Sequence, residues 1–317
     1  AVCRRGVAVV GRGHLGLEGV ARKNAAGQAH AFQPDHTRVV QLVVLVAVVR
    51  GIPQGHAQAQ ASRKAHAAAV GTGTVGDNMC NISLGTSGTI FISSNHFGVD
   101  QHNALHSFAH ADGHYHLMGC MLSAASCNKW WMDEIIGTKD YAAEQAQIEK
   151  LGENHVYFLP YLMGERSPHN DPNARGTFIG MTMDTTRADM TQAVLEGVAF
   201  ALRDSLEVAK SLGIHLERTK ICGGGAKSPL WKKMIANILN LKVDVIESEE
   251  GPAMGGAMLA AVACGEYASV EEIAEKFVKV TGTVEPDPEL VQKYEERYQE
   301  FKKLYPALKG FFQEKQA

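Results

Sequence analysis

The chain has 317 residues, 45% of them hydrophobic and 21% charged, a balance that supports a packed core and excludes a wholly disordered chain, a collagen and a small disulfide scaffold. The net charge of −3 is unevenly spread: residues 1–66 hold nine Lys and Arg against two acids, Glu18 and Asp35, and the remaining 251 residues carry a net −10. The most apolar stretch, Val39–Val49, covers eleven positions between Arg38 and Arg50, short of the ~18–20 residues that a membrane helix needs.

Residues 1–66 are dominated by Ala and Val and contain a single aromatic, Phe32. Their cations are dispersed, with no run longer than two and no interleaved aromatics, which argues against nucleic-acid binding. Periodicity is poor, and Val39–Val49 is a β-prone run without an evident partner. The expectation is that this segment is not the native partner of residues 67–317, as an out-of-frame or broken gene start would produce. Arg4 and Arg5 have no long apolar core behind them, so no secretory signal is read. The six cysteines (3, 80, 120, 127, 222 and 264) form no Cys-x-x-Cys pair. Single core thiols in a cytoplasmic protein without a membrane partner are therefore expected.

From Ala67 onward the chain becomes orderly. Strands are predicted at Asn81–Leu84 and Thr89–Ser93. A hairpin over Leu105–Met121 comes next, turning at Ala111-Asp112-Gly113, because Asp and Gly both tolerate positive φ. Helices are predicted at Ser123–Ile136, at Tyr141–Lys150 and from about Ala188 to Leu212, with Asp189 as N-cap and Gly213 just past the end. Then come a strand at Lys220–Cys222, a helix at Ser228–Leu239, a strand at Lys242–Ile246, a helix at Ala253–Cys264 and a charged helix at Glu289–Phe301. Strands succeeded by alternating helices and strands predict an α/β domain with a mixed sheet and helices on both faces.

Three glycine-rich loops punctuate this order: Gly85-Thr86-Ser87-Gly88 between two strands, Gly223-Gly224-Gly225-Ala226-Lys227-Ser228 between strand and helix, and Gly251-Pro252-Ala253-Met254-Gly255-Gly256 opening the next helix. Glycine admits close ligand approach, and amides at a helix start favour anions. Each loop alone also fits a tight turn. Neither the Walker pattern nor Gly-x-Gly-x-x-Gly is matched, since Ala226 precedes Lys227. The set predicts a nucleotide site of another kind.

These loops, with Asn81–Gly88, Gly164–Gly176, Gly223–Trp231 and Glu250–Gly256 in that order, resemble the C-terminal domain of the xylulokinases of the FGGY carbohydrate kinase family. Gly176-Thr177-Phe178-Ile179-Gly180-Met181, Asp189-Met190 and Ala193–Glu196 are similar to that family's second signature. The resemblance covers about residues 67–317. It implies an actin-like ATPase, ribonuclease-H-like α/β domain with MgATP as phosphoryl donor, a ketose as acceptor and D-xylulose as the first choice. It further implies that Gly85, Thr86 and Ser87 hold the phosphates, that Gly176 lies near the adenosine, and that Gly224, Gly225, Ala226 and Ser228 line the purine and ribose pocket. Amide-rich loops suit phosphoryl transfer, which needs positioning and charge neutralisation above all.

The family's catalytic aspartate, aligned on the Ala-rich stretch at 67–71, falls at Lys64, and a protonated lysine cannot deprotonate a sugar hydroxyl. Gly76-Asp77-Asn78 spells a similar tripeptide but reads as a plain turn. The isolated chain is thus expected to lack the catalytic base and most of the sugar pocket, and to be inactive alone. The rival is a non-catalytic nucleotide-binding or dimerisation module, self-associating through apolar surface; a kinase for another sugar or polyol is a further alternative. Glu165, Arg166 and His169 are candidate cleft residues, with a surface ion pair the alternative for the first two. His102, His106 and His110, spaced by four, would share a face of a helix and could bind a metal there, but Asp112-Gly113 argues for a hairpin, so these and His114 and His116 are read as solvated strand histidines, and Trp130-Trp131 as core.

Overall fold

The computed structural model of the protein describes residues 65–248 and 251–314. The basic segment up to position 64, with Val39–Val49, Cys3 and Lys64, lies outside the described residues, as do Glu249 and Glu250. A helix at 65–71 (α1) leads into β1 (Cys80–Leu84), β2 (Gly88–Ser94), β3 (His106–Ala109) and β4 (Tyr115–Met121). Next come α2 (Ala125–Trp130), which runs on as a π turn at Trp131–Ile136, then α3 (Tyr141–Gln145), β5 (Tyr157–Leu159), β6 (Thr177–Ile179) and the long α4 (Arg187–Ser211). The last part holds β7 (Arg218–Cys222), α5 (Pro229–Leu239), β8 (Lys242–Ile246), α6 (Gly251–Ala263), α7 (Val270–Phe277), β9 (Val280–Val284) and α8 (Pro288–Glu314).

Seven strands form one mixed sheet in the order β3-β4-β2-β1-β7-β8-β9, and β5-β6 form a separate two-stranded sheet. β1, β2, β4 and β3 pair antiparallel. β1 pairs parallel with β7, and β7 with β8. This is the mixed α/β architecture expected. The predicted hairpin is present, with Gly113 at φ 89° in its turn.

Alternation along the strands assigns each side chain to one of two layers. Ile82, Leu84, Ile90, Ile92 and Leu117 face a large core shared with α4, α5 and α8. Phe91 and Met118, one residue out of phase, face α1 through Ala65 and Ala69. A second core on that side joins Val70 of α1, Met258 of α6 and Val270, Ile273 and Ala274 of α7. Trp131 is buried in the large core with Trp130 packed against it, as expected. Among the described cysteines, Cys80, Cys120, Cys127, Cys222 and Cys264 form no disulfide. No described helix is long and apolar enough to cross a membrane.

Several boundaries differ from expectation. The N-cap of α4 is Thr186, and Asp189 sits at its third position, completing a capping box in which each side chain accepts from the other's backbone amide. α3 ends at Gln145, well before Lys150. α8 passes Pro306 and reaches Glu314, held past the proline by buried Tyr305 and Phe312. His110 and His116 are not solvated strand histidines: they are 5% and 1% exposed, and His116 stacks on Phe91 at 4.1 Å between ring centroids.

Candidate functional site

The parallel register of β1 and β7 sets Ser83 opposite Cys222. The turns beyond these residues, at Gly85 and Gly223, therefore leave the same edge of the sheet. That edge, the carboxyl ends of parallel strands, is where open α/β sheets take their ligands. The approach is close. Gly223 has φ 93° and ψ 172°, and a Cβ there would stand 2.7 Å from the carbonyl carbon and oxygen of Leu84 and 3.1 Å from the nitrogen of Gly85. A side chain at 223 is thus excluded by conformation and by space.

The start of α6 lies beside the second turn. A Cβ on Gly251, at the start of α6, would stand 3.4 Å from Sγ of Cys222, the residue before Gly223. Further along α6, a Cβ on Gly255 would meet the Ala67 carbonyl oxygen at 1.7 Å, so α1 and α6 cross in backbone contact. The first two glycine turns thus share one edge; the third glycine stretch, expected as a loop, is helical from Gly251 onward and reaches that edge through Gly251 beside Cys222.

The β4–α2 junction supports the first turn. The amides of Ala124 and Ala125 donate to the carbonyls of Thr86 and Gly85, both at 2.9 Å. The Ser126 hydroxyl donates to the Thr86 carbonyl at 2.7 Å. These bonds hold the carbonyls towards α2 and leave Thr86 and Ser87 exposed.

Within the second turn, Gly224 is exposed and its Cβ position meets nothing within 4 Å. Gly225 and Ala226 are buried, Ala226 as part of the large core. Ser228 caps α5: its hydroxyl accepts from the Trp231 amide at 3.0 Å and donates to Oε1 of Gln145 at 2.6 Å. That hydroxyl is committed inside the protein, and Gln145 is a partner that sequence spacing gave no sign of. Gly176 lies on the other sheet, just before β6, with a Cβ position 2.6 Å from Leu162 and 3.6 Å from Phe158. Its link to the turns runs through β5, beyond which the Pro160 carbonyl accepts from the Cys127 thiol of α2.

Below the first turn, the loop at 164–171 is tied to β4 by the Ser167 amide, which donates to the Cys120 carbonyl at 2.9 Å. Glu165 is 2% exposed. Burial pushes its carboxyl up to about 8, against the pull of the Arg166 and Leu122 amides. It is not half of a surface ion pair; its Oε1 accepts from the Arg166 backbone at 2.7 Å. His169 stacks on Tyr305 at 3.8 Å and shares a hydrogen bond with the Tyr161 hydroxyl at 3.1 Å. Burial lowers its imidazole to about 4 and raises the Asp204 carboxyl, 3.8 Å away, to about 7. Asp204 in turn accepts from the Tyr298 hydroxyl at 2.8 Å. Asp77 is an exposed turn residue whose Oδ1 accepts from the Asn95 amide at 2.9 Å.

Amide-rich turns that meet on one sheet edge can seat a polyanion. Comparison with known proteins points the same way. The chain is 39% identical over 246 residues to the xylulose kinase of Escherichia coli (strain K12), which covers 76% of this chain and 50% of that protein. It is 34% identical over 240 residues to the xylulose kinase of Bacillus subtilis (strain 168), covering 75% of this chain and 48% of that protein. The crystal structure of a xyloylose kinase from Brucella ovis superposes with a TM-score of 0.72 at 38% identity, over 78% of this chain and 51% of that one. The chain thus spans about half the length of the relatives it matches. Its mixed sheet with flanking helices is the actin-like ATPase fold of these sugar kinases. The profile of the FGGY family of carbohydrate kinases, C-terminal domain, matches residues 80–264, and the chain belongs to that family.

Proposed function

We propose that residues 67–317 are the ATP-binding half of a ketose kinase. The complete protein would transfer the γ-phosphoryl group of ATP to D-xylulose and release D-xylulose 5-phosphate. The observation that carries this reading is the backbone contact between Gly223 and Leu84–Gly85, which brings two glycine turns onto one edge. Identity of 39% to a named xylulose kinase supports the choice of sugar.

In this reading Gly85, Thr86 and Ser87 receive the phosphates, with two exposed hydroxyls among them. Gly224 offers an open approach to the nucleoside, with Gly225, Ala226 and Ser228 forming the wall behind it and Gly176 flanking the base. Mg²⁺ arrives with the nucleotide. The sugar pocket and catalytic carboxylate belong to the family's other half, and Lys64 occupies the aligned place. The chain alone therefore binds nucleotide without turning over sugar.

A second reading, a non-catalytic nucleotide or dimerisation module, draws on the same lysine and on exposed Met163, Met181 and Met183. Calorimetry with a non-hydrolysable ATP analogue, and a hydrolysis assay with ATP, each with and without D-xylulose, test both. Analogue binding without sugar coupling supports the isolated ATP half. Sugar-stimulated hydrolysis of ATP at an ordinary kinase rate refutes its inactivity. A folded chain that binds no analogue refutes the nucleotide site.

A further inference from the structure

We propose that Asp112, His114 and Glu271 form a site for a divalent transition metal, Zn²⁺ by donor chemistry, that clasps the β3–β4 turn to the start of α7. The three residues come from two places far apart in the chain, and one donor atom of each lies within 4.8 Å of the others. Nδ1 of His114 stands 3.5 Å from Oδ1 of Asp112, close to the ~3.3 Å between neighbouring ligands of a tetrahedral Zn²⁺. The remaining closure falls to Glu271, whose donor atom lies within 4.8 Å of the other two.

Asp112 is already oriented. Its Oδ2 accepts from the Gly76 amide and its Oδ1 from the His114 amide, each at 3.0 Å. The buried ring of His110 lies 3.7 Å from Oδ2. Its Nε2 is hydrogen-bonded to the Thr74 carbonyl at 2.9 Å, so the two backbone amides alone orient Asp112. Two carboxylates meet here, and among the described residues no Lys or Arg forms an ion pair with either; the side chains beside Asp112 are the imidazoles of His110 at 3.7 Å and His114 at 3.5 Å. A positive charge at this point relieves their repulsion. An imidazole with two carboxylates and no thiolate favours Zn²⁺, Co²⁺ or Ni²⁺ over the all-oxygen preference of Mg²⁺ and Ca²⁺. Beneath the cluster lies the second core, where Ala111 and Val75 pack with Val270 and Ile273. The metal would thus pin the small core formed by α1, α6 and α7, independently of the nucleotide turns.

The test uses the untagged full chain after chelator treatment. Co²⁺ is titrated with the visible d–d absorption as readout, and Zn²⁺ is titrated with Tm as readout. Asp112 is left intact because it orders the turn; the variants are His114→Ala and Glu271→Gln. The expected result is one equivalent of Co²⁺ displaced by Zn²⁺, and a Tm gain of about 5–10 °C at a hundredfold excess of Zn²⁺ over Kd. Each variant should keep the metal-free Tm and weaken metal binding beyond the ~10–100-fold that loss of an outer partner costs. Absence of the band in the folded wild-type chain overturns the site and leaves a plain His114 ion pair. An undiminished band in either variant also overturns it.

Discussion

Gly223→Ala tests the convergence of the turns directly. The residue has φ 93° and ψ 172°, a region that essentially only glycine occupies, at ~1–3 kcal/mol for other residues. The new Cβ would also stand 2.7 Å from two backbone atoms of Leu84. Backbone at the end of a central strand cannot rotate away as a side chain can, so the turn or the strand must shift, at a further ~1–3 kcal/mol. The expected loss is about 2–6 kcal/mol, a large share of the ~5–15 kcal/mol that holds a domain together. Urea unfolding measures it, and calorimetry on the folded variant should show the ATP analogue bound about tenfold more weakly. Gly224→Ala is the control: its Cβ enters open space, and stability should change by less than ~0.5 kcal/mol. Equal stability of the two variants would refute the reasoning, because it would mean that the turns do not meet as described.

Other consequences are independent of the turns. Glu196, 1% exposed, accepts from Arg297 at 2.7 Å and from the Tyr294 hydroxyl at 3.0 Å; Arg297→Met leaves this carboxylate buried without its cation, at about 3–5 kcal/mol in chemical denaturation, and a loss under ~1 kcal/mol would contradict the pairing. Ser228→Ala removes the cap of α5 and the Gln145 bond, for a loss of about 1 kcal/mol in the same assay, while an unchanged midpoint would mean that the cap is idle. Burial holds the Glu165 carboxyl at about 8, above its ordinary 4.5, so the folded chain keeps a proton that the unfolded chain gives up. Its contribution to stability is full below about pH 4.5 and is lost as pH rises to about 8, by about 3–5 kcal/mol. Glu165→Gln should flatten that part of the stability profile, and an unaltered slope between pH 5 and 8 would count against it.

The sheet is legible in the sequence because its strands alternate and its turns carry glycine. Asn81–Leu84 and Thr89–Ser93 each fall within one residue of the observed strands, and Asp112-Gly113 marks the hairpin turn. The glycine loops are legible as a set, since backbone contact such as that of Gly223 on Leu84 tolerates no side chain. What lies on their far side is not. Motif alone does not show that the Ala226 side chain belongs to the large core or that the Ser228 hydroxyl serves a cap and Gln145, because chain spacing does not tell which way a loop turns its atoms. Asp189 reads as the start of α4 because Asp caps well; the capping box instead divides the work between Thr186 and Asp189. The C-terminal helix, read as Glu289–Phe301, runs on through Pro306 to Glu314, where buried Tyr305 and Phe312 pack it. His116 is packed between Phe91 of β2 and His66 of α1, at 4.1 and 4.5 Å between ring centroids, and His110 lies against the same two rings. These contacts join residues too distant in sequence for periodicity to register.

Hydrogen exchange of the 317-residue chain with and without a magnesium-bound, non-hydrolysable ATP analogue bears most directly on the central claim. Amides at 84–88 and at 223–228 should gain protection together, because one ligand would span both turns. Binding that protects neither stretch, or protects one while the other exchanges as before, would contradict a shared nucleotide edge.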